Sequence, residues 1–178
     1  MSGGSEVTDR AAELRDAFDR AFAEPRPPAP PPSEDLLAIR VASEPYALRL
    51  TEVAGLFADR KVTPVPGRAS ALLGIAGFRG AIVPVYDLQV LLGCPPLETA
   101  RWLVIAAGTP VAFAFAVQEG HLRLPRSAIV SYRTGENQRR HVREFAHTTE
   151  FARPIVHLPS VLEAIRRQVP AAPETQEH

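Results

Sequence analysis

The side chains best suited to chemistry near neutral pH are five histidines, His121, His141, His147, His157 and His178, and one cysteine, Cys94. Imidazole and thiolate are the usual zinc ligands, nucleophiles and proton carriers, but each role needs a particular spacing. No two of these histidines form an HExxH pair, and none stands at metal-ligand spacing from Cys94. A single cysteine makes neither an internal disulfide nor a thiolate cluster. A nucleophile elbow, a P-loop and a dinucleotide fingerprint are all absent from the sequence. His157 lies in an apolar strand pattern and reads as a structural histidine. Cys94, between Gly93 and Pro95, reads as a small residue at a helix end. Asp87 could act as a general acid, but it precedes LQVLL, where a carboxylate caps a helix start. A hydrolase would need titratable groups gathered in one pocket. The expectation is therefore no enzyme, no catalytic residue, no metal and no cofactor.

The most informative stretch is LLGIAGFRGAIVPVYDLQVLLG, Leu72 to Gly93. It reads as strand, tight turn, strand and a capped helical turn ending at Gly93. Gly77 and Gly80 bracket Phe78 and Arg79, which places an aromatic and a cation at or near a hairpin tip, where glycine eases unusual backbone angles. Pro84 offers no ladder donor and points to an edge or a bulge. Ile82 is expected in the core. On this pattern alone Arg79 is either a solvated turn charge or a recognition cation.

The elements that would position this stretch are mostly short strands. Leu37, Ile39 and Val41 alternate with Ala38 and Arg40. After the turn at Ser43-Glu44-Pro45, Tyr46, Leu48 and Leu50 alternate with Ala47 and Arg49, giving a hairpin with one buried face. Further strands are expected at Lys61–Val65, Leu72–Phe78, Ala81–Tyr86, Arg101–Ala106, Val111–Val117 and Pro154–His157. In VAFAFAV, Val111, Phe113, Phe115 and Val117 share one face and alanines fill the other. Many short strands with Gly/Pro punctuation argue for barrels rather than a βαβ sheet. Ser160 and Glu163 suggest a capping box for a helix with Val161, Leu162, Ile165 and Val169 on its apolar stripe.

Composition divides the chain into residues 1–24, an amphipathic helix; 25–33, a proline-rich linker; 34–169, the folded domain; and 170–178, a disordered tail. The helix over 6–24 presents Val7, Ala11, Leu14, Phe18, Ala21 and Phe22 on one stripe, which either docks on its own domain or binds a further partner. With 20 basic and 20 acidic residues the chain is formally neutral. Without a cationic block, nucleic acid is not expected as a partner. No apolar run approaches the roughly 20 residues of a membrane span. Together with the lone cysteine and the polar N-terminus, this leads to the expectation of a cytoplasmic protein that does not insert into a membrane.

Gly74-Ile75-Ala76-Gly77-Phe78-Arg79-Gly80, followed by Pro84-Val85-Tyr86-Asp87-Leu88, resembles the central signature of the CheW family of chemotaxis coupling proteins. The likeness runs over about residues 35–165, strong to Gly93 and weaker beyond. Upstream it takes in the opening hairpin, its Tyr, a short helix with Val53 and the proline before the signature. The resemblance implies a mainly β fold of two SH3-like five-stranded barrels around a shared core, with short helices and a C-terminal helix. It implies an adaptor without chemistry, coupling the cytoplasmic tip of methyl-accepting chemoreceptors to the regulatory domain of a CheA-type histidine kinase, in arrays at the inner membrane. By position, Val53, Phe78 and Arg79 would lie on or beside the receptor-binding groove. Val62, Val65, Gly74 and Ile75 would serve the kinase-binding surface, and Gly77, Gly80, Pro84 and Asp87 the structural motif. The sequence departs from the family at Gly55, Gly77-Phe78, Ala116, Gln118 and the polar stretch 142–151. Those departures suggest an alternative, a divergent paralogue that has lost one interface and serves a dedicated pathway.

Overall fold

The computed structural model describes residues 31–66, 70–131 and 139–168. The helix expected over 6–24, most of the proline linker and the tail from 170 lie outside the described residues. Eleven strands are described: β1 Ser33–Val41, β2 Glu44–Arg49, β3 Val53–Ala58, β4 Leu72–Phe78, β5 Ala81–Asp87, β6 Trp102–Ala106, β7 Ala112–Phe115, β8 Val117–Pro125, β9 Ile129–Ser131, β10 Val142–His147 and β11 Ala152–Val156. Two α-helices accompany them, α1 Leu88–Leu91 and α2 Leu158–Gln168.

The strands form two sheets, one of five strands in the order β3-β6-β7-β5-β4 and one of six in the order β8-β1-β2-β11-β10-β9. The second sheet closes by necessity. Its edge strands, β8 and β9, are joined only by the turn Arg126–Ala128. From Pro125 to Ile129 the chain reaches at most about 14 Å, whereas five strand spacings in a flat sheet cover about 24 Å. The sheet must curl until its edges meet. The six strands, against the five expected, arise because this 3-10 turn divides one edge segment in two. In the first sheet the chain leaving β3 crosses to the opposite edge, where Thr63 exchanges backbone hydrogen bonds of 2.8 and 2.9 Å with Ile75 of β4.

Strand alternation distributes the side chains among three apolar clusters. Inside the first sheet lie Ala76, Phe78, Val83, Val85, Leu103, Ala112 and Ala114. Inside the second lie Leu36, Ala47, Ala146 and Ile155. A larger cluster between them takes Leu37, Ile39 and Val41 from β1, Phe113 and Phe115 from β7, and Val161 and Ile165 from α2. Successive residues of β1 and β7 therefore serve different cores, which is why both strands read as nearly continuous apolar runs.

Several expectations need correction. β1 is buried on both faces from Leu36 to Ile39, not on one. Lys61–Val65 is no strand, because Pro64 and Pro66 lack N–H donors and only Thr63 bridges. Val53 is not helical: a 3-10 turn spans Leu50–Glu52 and Val53 opens β3, where its branched side chain suits extended backbone. Val117 has left β7 and is exposed at the start of β8. Ser160 does not cap α2, which starts two residues earlier. Its N–H instead donates to His157 Nδ1 at 3.2 Å and its hydroxyl to the His157 carbonyl at 2.8 Å. The first N–H of the helix, Leu158, donates to Glu52 Oε2 at 2.8 Å.

Candidate functional site

Among the described residues, Asp87 and His121 are held in structural contacts. Asp87 is 1% exposed and both its oxygens accept backbone N–H bonds. Oδ1 takes Gln89 and Val90 at the start of α1, and Oδ2 takes Leu97 at 2.7 Å, which ties the following loop down. Burial pushes the Cys94 thiol above its ordinary range, away from a reactive thiolate. His121 pairs with Asp35 at 2.9 Å on an exposed surface. Among the described residues no three His, Cys, Asp or Glu side chains gather as a metal site. No helix among them is long and apolar enough to cross a membrane.

What stands out instead is the β4–β5 hairpin. Phe78 pairs with Ala81, so the turn residues are Arg79 and Gly80, both with positive φ, +46° and +84°. Two such residues make the turn whose twist matches that of antiparallel strands. Arg79 is exposed at this tip. Phe78 is not: it is 5% exposed and lies against Phe57 with ring centroids 4.9 Å apart, in space left by Ala76, Ala112 and Ala114. The exposed aromatic expected beside Arg79 is thus an interior anchor. The two-residue turn sets the phase of β5, with Val83 and Val85 inward and Ile82 outward.

Ile82, expected in the core, is 73% exposed. Its cross-strand neighbour is Gly77, around which a Cβ would meet nothing within 4 Å. A large apolar side chain therefore stands beside bare backbone. Lys61, Thr63, Ile75, Ala76, Gly77 and Ile82 line a shallow concavity of about 240 Å³. Pro84 lies one residue before β5 begins pairing with β7 at Val85, so its missing donor costs that ladder nothing.

Gly74 is needed where β4 is crossed by the Thr63 segment. A Cβ there would stand 2.1 Å from the Thr63 carbonyl oxygen, and its φ is +150°. Val62 packs into the first-sheet interior and Val65 is half-buried. The crossing segment meets β4 at Thr63 and Ile75, beside Gly74 and Gly77, while Arg79 and Gly80 form the hairpin's tip. Val53 packs instead against the shared core. Sequence reasoning missed the exposure of Ile82, although Gly77 opposite and the phase set by the turn both signal it.

A larger cleft of about 900 Å³ on the second sheet includes Glu34, Asp35, Arg49, His121, Arg126 and Glu144. Its charges answer one another: Arg49 pairs with Glu34 and Glu144, Arg126 with Glu34, and His121 with Asp35.

Comparison with known proteins bears on what such surfaces do. The model of the CheW-like domain matches residues 35–166. A probable chemotaxis protein CheW of Rhizobium etli is 30% identical over 74 residues, 41% of this chain and 48% of that protein. A chemotaxis protein CheW of Bacillus subtilis is 32% identical over 76 residues, 41% and 49% of the two chains. The chain thus spans about half the length of the curated relatives it matches. The crystal structure of the scaffolding protein TtCheW from Thermoanaerobacter tengcongensis superimposes with a TM-score of 0.63 at 19% identity, over 70% of this chain and 89% of that one.

Proposed function

Starting from the fact that this chain belongs to the family of CheW-like domains, we propose that it is a non-catalytic scaffold of chemotaxis signalling. It couples methyl-accepting chemoreceptors to a CheA-type histidine kinase in cytoplasmic arrays beside the inner membrane. The observation that carries this reading is the outward Ile82 beside bare Gly77, next to the exposed Arg79. An exposed isoleucine in a shallow groove has no role in the fold's own packing, and association with a partner is what would bury it.

In this reading the groove of Ile75 and Ile82, rimmed by Lys61, takes an apolar side chain of the kinase regulatory domain. Val62, Val65 and Gly74 serve it indirectly by holding the crossing segment in place. Arg79 meets the receptor tip, and Phe78 supports it from inside through its packing on Phe57. Val53 contributes at the edge of the shared core.

The experiment is parallel titration of the protein against a chemoreceptor signalling-tip fragment and a CheA regulatory domain, with Ile82→Asp beside the parent. Saturable binding to both, with kinase binding lost in the variant, is the expected result. Binding to receptor alone would favour the divergent paralogue, for which the departures at Ala116 and Gln118 speak. Binding to neither would overturn the proposal.

A further inference from the structure

At the opposite end of the second sheet from its turn of Arg126–Ala128, the chain enters β10 through a run of cations. Arg139, Arg140, His141, Val142, Arg143 and Ser160 line a pocket of about 310 Å³. Unlike in the larger cleft, two of its arginines stand outside any ion pair among the described residues. Arg139 is engaged by Glu44 and Tyr46. Among the described residues Arg140 and Arg143 form no ion pair, although the Glu52 carboxylate feels the charge of Arg143, and no acidic residue lines the pocket. The backbone donors at the start of α2 are committed as well: Leu158 N–H to Glu52, and Ser160 N–H to His157. Free donor capacity in the pocket therefore belongs to side chains, not to the helix end.

His141 is fixed at the centre. It adopts φ +58°, accepts the His157 N–H at its carbonyl (2.8 Å), and holds Nδ1 3.0 Å from Ser160 Oγ. The Ser160 hydroxyl gives its one proton to the His157 carbonyl, so Nδ1 of His141 must donate to it. In the neutral ring Nε2 then carries the lone pair and accepts rather than donates. Burial holds the His141 imidazole below its ordinary range, and the charges of Arg140, Arg167, His157 and Arg143 push it further the same way.

We propose that this pocket binds a phosphate-class dianion, with the Arg140 and Arg143 guanidiniums as its donors and His141 beside them. A planar guanidinium presents paired N–H groups that match two phosphate oxygens, and two arginines outside any ion pair among the described residues line this small concavity. The anion is either free or the phosphoryl group of a partner's side chain. This site is independent of the Ile82 groove and of the scaffold role.

The test follows the His141 imidazole resonance of the full chain at constant ionic strength. Inorganic phosphate and a phosphoserine peptide replace chloride stepwise, since exposed cations respond to salt as such. A saturable shift is expected with phosphate. Arg140→Ala and Arg143→Ala should each weaken binding about tenfold or more, as loss of a charge-assisted hydrogen bond does. Arg143→Lys should retain part of the affinity and reports on charge without removing it. Saturation by the phosphopeptide alone would uphold the site and assign its source to a partner protein. A non-saturating response to both, or unchanged affinity in folded Arg140→Ala and Arg143→Ala, would overturn it.

Discussion

Replacing Gly74 by alanine would put a methyl carbon 2.1 Å from the Thr63 oxygen, 2.7 Å from its carbonyl carbon and 2.9 Å from the Pro64 Cα. All three are backbone atoms of the segment that bridges the two edges of the first sheet, so no flexible side chain can swing aside. Relief requires lifting that segment off β4, which breaks the two hydrogen bonds between Thr63 and Ile75. At about 0.5–1.5 kcal/mol each, these contribute about 1–3 kcal/mol. A φ of +150° adds about 1–3 kcal/mol of strain for a residue with a Cβ. The expected cost is therefore about 2–6 kcal/mol, a large share of the 5–15 kcal/mol typical of a folded domain. Urea denaturation should show a lower midpoint at unchanged slope. Amide exchange at Thr63 and Ile75 should speed up more than elsewhere. Gly77→Ala is the control, since its Cβ meets open space, and it should stay within about 0.5 kcal/mol of the parent. If the two alanine variants cost the same, the crossing is not what makes Gly74 necessary.

Ile82→Asp should fold with stability within about 0.5 kcal/mol of the parent, because the side chain is already in water; a collapse in thermal melts would mean that the isoleucine is buried after all. Arg79→Gly removes a Cβ from a left-handed backbone position and should raise stability by up to about 1 kcal/mol, while weakening receptor-fragment binding; tighter binding would contradict the recognition role. His141 and His157 are both held below the ordinary imidazole range, first by burial and then by neighbouring cations. The unfolded chain therefore takes up protons more readily, so stability is complete above pH of about 6.5 and falls as pH drops through the lower folded-state values. Urea midpoints measured downward from pH 8 should decline over this window, and replacing both histidines with glutamine should flatten the decline; a rise toward acid would refute the sign. Glu52, pushed up by burial, acts in the opposite direction further into the acid range.

Much of the architecture was legible because strand alternation and turn chemistry are local. The β4–β5 hairpin and the Asp87 cap on α1 stand where the residues placed them, and the opening hairpin forms with its turn at Ala42-Ser43 rather than at Ser43-Glu44-Pro45. Failures came where two cores share one strand. Buried on both faces, Leu36 to Ile39 and Ala112 to Phe115 lose the single-faced alternation on which the expectation rested. The exposure of Ile82 and the burial of Phe78 were misread for another local reason: the turn stands where expected, but strand alternation from Phe78 paired with Ala81 puts Val83 and Val85 inside and Ile82 outside. The pocket around Arg140 and Arg143 depends on contact between β10 and the start of α2, which no short-range spacing encodes.

The strand β7 gives its alanines to one barrel and its phenylalanines to the cluster that binds the other. Neither barrel can loosen without exposing side chains that the other relies on, so the pair should melt in one transition and tilt as one block. A connector made this way is stiff. Displacing one sheet should carry the other with it rather than bend the strand they share.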